Sequence, residues 1–287
     1  YERLKSIDSL NPEQFENDPS NDVVLQFNQK NGLTFSDMRG KAYDDPAWAL
    51  FLAQISEDDF NKLIRINQSY PEANSIGKAA TLHSGGPLGF VNSKVGYNSE
   101  PMTGQTWNVE LAELFGKSMA NDMICNINGG RGSVGAPGVN IHRTPFLGRT
   151  AEYYSEDPVL NGLMAANMMR AAGEMGAIVK VKHFALNEIE NNRGDGGDAS
   201  KWGIATFATE QTIRELYLKA FEIAIKEAGM VTRKSYQRNY WGEMELVEEE
   251  VPAANGVMTS FNRIGYTWAG GCYPLITGVL RNEWGFE

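Results

Sequence analysis

At 287 residues, 42% of them hydrophobic and 22% charged, the chain can bury a sizeable core in one large domain, or in one domain plus an arm, and an α/β barrel alone fills that length. The 36 acidic residues against 26 basic ones leave a formal net charge of -10, which excludes nucleic acid or an anionic membrane as partner unless a local basic patch exists. The nearest cluster, Arg233, Lys234 and Arg238, is soon followed by Glu243, Glu245 and Glu248 to Glu250, no apolar run approaches membrane-spanning length, and Cys125 and Cys272, set among largely uncharged neighbours, read as free and buried.

Residues 1 to 46 are polar and broken by Asp18-Pro19, Asn31-Gly32 and Asp45-Pro46, with Val23-Val24-Leu25 the one strand-like run. No signal-peptide pattern opens the chain, which leaves cytoplasmic and secreted locations both open. From Pro46 the texture becomes helical through Trp48, Phe51 and Leu52, then Phe60, Leu63 and Ile64, with Ser56 ahead of Glu57, Asp58 and Asp59 as a helix start. Ala79 to His83 reads as a short strand and Ser84 to Gly89 as the loop leaving it. Trp107 to Ile127 is a helix ended by Asn128-Gly129-Gly130, Gly138 to His142 a strand that exits through Arg143 to Arg149, and Leu160 to Met175 a methionine-rich helix.

The central strand, Ile178 to Phe184, delivers Lys182 and His183 to its C-terminal end before a polar segment that reaches Gly194-Asp195-Gly196. Thr206 to Ala228 is a helix with Phe207, Ile213, Leu216, Phe221 and Ile225 along its stripe, and 229 to 255 is an excursion rich in aromatic and acidic residues. Gly256 to Asn262 is a further strand and Leu275 to Leu280 begins a further helix. Strand, loop and helix in repetition argue for parallel β/α units, a barrel of the (β/α)8 TIM type that remains incomplete over this stretch.

In such a barrel the strand exits converge on one face, so His83, His142, Arg143, Arg149, Lys182, His183 and Asn262 would supply cationic and amide donors around a central pocket suited to a ligand with several hydroxyls. Arg149 and Lys182 could instead pair with Glu156-Asp157 or Glu188 and hold the rim. The three histidines are too far apart for a local metal motif. Gly129-Gly130-Arg131-Gly132 lacks the Lys-Ser/Thr of a phosphate loop, and Met164, Met168, Met169 and Met175 suit core packing. Glycosidic hydrolysis needs two carboxylates, roughly 5 to 5.5 Å apart for retention. Glu156, Asp157, Glu188, Glu190 and Asp195 stand on exit loops, and their spacing selects no pair.

Seven ordered motifs carry a family resemblance. They are Thr106-Trp107-Asn108, Asn140 to Pro145 continuing to Gly148-Arg149, Tyr154 to Pro158, Lys182-His183-Phe184-Ala185 with Asn187, Glu210-Gln211 with Arg214-Glu215, Ser260-Phe261-Asn262, and Leu280-Arg281 with Glu283 to Phe286. Together they resemble the barrel domain of glycoside hydrolase family 3, the β-glucosidase family. On that resemblance residues 44–287 form a partial barrel domain, excursion included, and residues 1–43 an arm or the end of an interdomain linker. The wording around Asn262 to Gly271 and Lys41 to Pro46 resembles the branch whose second domain precedes the barrel.

The resemblance implies a retaining, exo-acting hydrolase that cleaves β-glucosides or oligosaccharides from the non-reducing end, with no cofactor and no metal. It implies that Arg149, Lys182 and His183 bind the sugar, with His83, Gly85, His142 and Asn262 as further pocket positions. Gly85-Gly86-Pro87 stands where the family carries Asp-Gly-Pro, which removes a carboxylate from the glycone. No catalytic residue is expected within the chain, because the family's nucleophilic aspartate follows the Trp-Gly-Phe element, beyond Glu287, and its acid/base comes from the remainder of the polypeptide. The contrasting expectation, prompted by Gly85 and the missing strand, is an inactive carbohydrate-binding or structural remnant.

Overall fold

The computed structural model describes residues 24–42, 44–64, 70–89, 95–125, 132–190, 204–239 and 241–286. Contacts divide these into two compact units, 24–83 and 84–286. The first is built on two short helices, α1 (Ala47–Leu52) and α2 (Glu57–Ile64). Ser56 caps α2 as its sequence suggests, its Oγ accepting the Asp59 N–H at 3.1 Å. The Asp59 carboxylate in turn accepts the Ser75 hydroxyl at 2.6 Å and the Ser75 N–H at 2.9 Å, which hold its pKa down to about 2. Phe51, Ile55, Met38, Ala73 and Ile76 form the core of this unit. Val24 and Leu25 join no strand, and Val23 lies outside the described residues.

The strand expected at 79–83 is displaced, because Thr81 is taken by an antiparallel bridge to Tyr70, with N–H to O distances of 2.8 and 2.9 Å. Strand β1 runs over Leu82–Gly85 instead, so His83 lies within the strand and Gly85 at its end.

In the second unit, α3 (Glu100–Gly104) leads to α4 (Val109–Cys125). The helix starts later than its apolar pattern suggests, because Trp107 has φ 56 and Asn108 caps the end, its Oδ1 accepting the Glu110 N–H at 2.9 Å. Its expected Asn128-Gly129-Gly130 stop lies outside the described residues. Cys125 is exposed rather than buried, at the last turn of α4, while Cys272 is buried.

Strand β2 (Gly132–Gly135) was hidden from sequence by its glycines. It is followed by α5 (Pro158–Glu174), whose cap is Asp157: its carboxylate accepts the N–H groups of Val159 at 2.7 Å and Leu160 at 2.9 Å. Then come β3 (Ile178–Val179) and β4 (Val181–Phe184), two pieces of the expected central strand.

After the short β5 (Ala205–Thr206), the predicted helix begins only at Glu210, capped by Thr209. It winds as a π-helix over Ile213–Tyr217 before α6 (Lys219–Ala228). Phe207 therefore leaves the apolar stripe and stacks edge-on with Tyr266, 5.7 Å between ring centroids.

The excursion is a hairpin of β6 (Met230–Arg238) and β7 (Met244–Pro252). Strand β8 (Val257–Thr259), the small strands β9 (Arg263–Ile264) and β10 (Thr267–Trp268), and a π-helix over Pro274–Glu283 complete the unit.

Residues 178–184 are the spine. On one side β2 runs parallel to β3, with Ser133 opposite Ile178; on the other, β8 runs parallel to β4, with Val181 opposite Val257. The stretch expected as a strand at 138–142 makes a single bridge, Gly138 to Lys182, in which the Pro137 carbonyl accepts the Lys182 N–H at 2.9 Å and the Val139 N–H donates to the Lys182 carbonyl at 2.8 Å. Asn140 then replaces the ladder with its side chain, accepting the His183 N–H at 2.7 Å and donating to the His183 carbonyl at 3.1 Å.

Helix α5 crosses both α4 and α6 behind the sheet, burying Met164, Met168 and Met169 fully, whereas Met175 is exposed. The class is α/β with parallel β/α units. Among the described residues the strands form short sheets and do not close into a barrel.

Candidate active site

The C-terminal end of β4 gathers most of the side chains singled out from sequence. Lys182 is 3% exposed, and its Nζ donates to Glu152 Oε2 at 2.6 Å and to the Gly86 carbonyl at 2.8 Å. The same Glu152 receives Arg149 through both oxygens, Nη2 lying 2.8 Å from Oε1 and 2.7 Å from Oε2. Burial pushes the Glu152 pKa up, but the adjacent Lys182 and Arg149 outweigh it, so the carboxyl stays below its ordinary range and ionised. Burial lowers the Lys182 pKa against the pull of Glu152.

The rim-pairing alternative is therefore half right. Both cations are paired, but with Glu152, which a turn over Thr150–Glu152 folds back beneath Arg149. Glu156 and Asp157 are exposed, and Glu188 sits on Asn140 instead, 3.1 Å away.

Glu152 was missed because its role depends on how closely its backbone approaches another strand. A Cβ at position 138 would collide with the Glu152 carbonyl, so Gly138 is what lets the turn lie over the sheet. The Gly138 N–H points at a second overlooked carboxyl, Glu100, at 3.2 and 3.3 Å. Glu100 is fully buried, and burial pushes its pKa well above the usual carboxylate range although Lys182 is near. It shares the Lys182 cluster with Glu152, which the two cations hold ionised.

A second group surrounds Tyr153, whose hydroxyl lies 3.2 Å from His183 Nδ1 and 3.3 Å from Asn187 Nδ2. The His142 ring stands 6.4 Å from the Tyr153 ring, centroid to centroid, and its Nε2 is buried with no protein partner. Asn187 also donates to Glu190 at 3.1 Å and keeps its Oδ1 unpartnered. Asn262, past the end of β8, donates to the Ala185 carbonyl at 3.1 Å and likewise keeps Oδ1 unpartnered.

Glu188 is buried behind His183, and burial pushes its pKa up to about 7 despite the Asn140 amide and the charge of Arg143. Arg143 itself lies over the Tyr217 ring, 5.7 Å from its centroid. The structure thus brings Arg149 and Lys182 to one carboxylate, with the Gly86 carbonyl on Lys182, and His183 and His142 to one tyrosine. Asn262 stands at the neighbouring strand exit. His83 belongs to the other compact unit, and Asp195 lies outside the described residues.

The arrangement is a set of fixed donors and leftover acceptors at a strand end, suited to a polyhydroxylated ligand. Residues 98–233 match the profile of the Glycosyl hydrolase family 3 N terminal domain. Beta-glucosidase A of Butyrivibrio fibrisolvens is 32% identical over 252 residues, 83% of this chain and 26% of its own.

Among solved structures, beta-glucosidase 3B of Thermotoga neapolitana in complex with alpha-D-glucose is similar over 76% of this chain and 27% of its own, with TM-score 0.60 and 30% identity. A beta-glucosidase of Paenibacillus barengoltzii is similar over 92% of this chain and 27% of its own, with TM-score 0.69 and 26% identity. The chain spans about a quarter of the length of the curated relatives it matches.

Proposed function

The chain belongs to glycoside hydrolase family 3, and we propose that it supplies the glycone-binding side of a β-glucosidase active site within a longer polypeptide. The observation that carries this reading is the Arg149–Glu152–Lys182 cluster at the end of the spine strand. Two cations bridged by one carboxylate are held rigid, so their remaining N–H groups present donors at set positions to sugar hydroxyls. Rejection of other ligands follows from the cost of leaving such buried groups unpaired. His183, oriented by Tyr153 and by the Asn140 clamp on its backbone, adds a ring nitrogen, and Asn187 and Asn262 add acceptors. Gly85 and His142 belong to the same pocket in this reading.

The fold of the complete protein is then an eightfold β/α barrel, in which further strands pair outward from β8. The reaction is hydrolysis of an O-glycosidic bond at the non-reducing end with retention, through an aspartate nucleophile from beyond Glu287 and an acid/base from elsewhere in the polypeptide. These residues bind and orient the glycone, and none of them carries out the bond-breaking step. Gly85, beside the carbonyl that holds Lys182, leaves this rim without the family's carboxylate, so the glycone is gripped there by fewer charge-assisted bonds.

The test is turnover of a chromogenic β-glucoside by the full-length protein, together with calorimetric titration with glucose. Replacing Lys182 by Ala is expected to weaken glucose binding and lower kcat/KM by about tenfold or more, an interaction with a charged donor being worth about 1.5 to 3 kcal/mol. Unchanged glucose affinity in a natively folded Lys182→Ala protein overturns the assignment. Glucose binding by the parent protein with no turnover of any β-glycoside favours the remnant over the enzyme.

A further inference from the structure

The hairpin of β6 and β7 interrupts the β/α alternation between α6 and β8. It joins the C-terminal end of a helix to the N-terminal end of a strand, so it rises from the end of the sheet opposite to the exits that carry Lys182, His183 and Asn262. Its inner face packs at the base, where Val231 is buried and Val251 lies against the core.

The outer face is different. In register along it stand Met230 opposite Pro252, Thr232 opposite Glu250, Lys234 opposite Glu248, and Tyr236 opposite Leu246, with Met244 next toward the turn. Lys234 and Glu248 form an ion pair of 2.6 Å at the middle. The apolar residues on either side are open, Met230 at 57% exposure, Tyr236 at 68% and Leu246 at 48%. From base to tip the face therefore reads an apolar pair, Thr232 bonded to Glu250, the Lys234–Glu248 ion pair and a second apolar pair.

We propose that this outer face is a contact between two copies of the protein, packed face to face about a two-fold axis through the Lys234–Glu248 pair. A two-fold contact requires a self-complementary patch. Turning one copy over about an axis along its strands lays Tyr236 against the partner subunit's Leu246 and Met230 against the partner subunit's Pro252, and sets Lys234 against the partner subunit's Glu248. Assembly through the β7 edge is disfavoured by its own charges, since pairing β7 antiparallel with itself about its midpoint would set Glu248 against the partner subunit's Glu248.

Two nine-residue strands make a face roughly 30 Å long and 10 Å wide. That is well under the roughly 800 Å² per partner of a standard interface, so the association is weak, reversible and concentration-dependent. The proposal is independent of the hydrolase reading.

Sedimentation equilibrium of the full-length protein over a concentration series tests it. A reversible monomer–dimer equilibrium is expected, with Leu246→Glu and Tyr236→Glu each raising the dimer dissociation constant about tenfold or more and leaving the thermal transition unchanged. Lys234→Glu and Glu248→Lys are each expected to weaken the dimer. An equimolar mixture of those two variants should associate as tightly as the native protein, because each offers the charge the other lacks. The proposal is overturned by a monomer at every concentration, by self-association indifferent to Leu246→Glu, or by a mixture no tighter than either charge variant alone.

Discussion

Two carboxyl groups within one short stretch of structure are held in opposite states, and their surroundings explain why. Glu152 has Lys182 and Arg149 in contact and is ionised, whereas Glu188 is buried against an amide and holds its proton up to about pH 7. The sign of the resulting pH dependence follows from linkage. With a folded pKa above the ordinary 4.5, the native state binds this proton more tightly than the unfolded chain, so the stability it contributes is complete below about pH 4.5 and is lost as pH rises through 7. The shift corresponds to about 3 kcal/mol. Glu188→Gln is expected to flatten this dependence, making the variant the more stable protein above pH 7. Urea midpoints of both proteins across the pH series check it, and parallel curves would mean that Glu188 does not titrate in that window. Sequence placed Glu188 on an exit loop as a possible acid or base; only burial distinguishes it from Glu156, which is exposed on another such loop.

At the scale of elements, two glycines decide how closely the pieces approach. A Cβ at Gly116 would strike the Met168 carbonyl where α4 crosses α5, and one at Gly138 would strike the Glu152 carbonyl. Gly138→Ala is expected to lift the Thr150–Glu152 turn off the strand, at a cost of about 1 to 3 kcal/mol for overpacking. It should also loosen the Lys182–Glu152 pair, so glucose affinity is expected to fall along with the thermal midpoint. A loss of stability with unchanged affinity would show that the turn is not what positions Glu152.

The helices themselves were legible from their apolar spacing and, at Ser56, from the cap. What escaped were β2 and the strands of the hairpin, the latter read only as an excursion. Gly132–Gly135 lacks the β-branched run that marks a strand, and Gly138 to His142, which has such a run, is held largely by the Asn140 side chain in place of a ladder.

For the molecule as a whole, the two compact units have very different cores. Residues 84–286 rest on the large cluster around α4, α5 and the spine strand, while residues 24–83 rest on Met38, Phe51, Ile55, Ala73 and Ile76. Phe51 is the largest of the smaller set and is 1% exposed. Phe51→Ala is expected to cost about 3 to 5 kcal/mol, which a core of this size cannot spare. Limited proteolysis should then cut within 24–83 first and leave a fragment containing 84–286. Cleavage at an unchanged rate in that segment would show that it draws its stability from elsewhere.

The sequence by itself determined the α/β class, most helix positions and the family, because periodicity, caps and seven ordered motifs are local properties that a chain carries before it folds. It also marked Arg149, Lys182 and His183 as the residues to watch. Only the tertiary structure decided what those residues do to each other. Glu152 joins two cations separated by more than thirty positions in the chain, Asn140 clamps His183, and Glu100 and Glu188 are buried, each the outcome of one backbone passing close to another. Distances of that kind are set by packing between segments remote in sequence, and no local pattern encodes them.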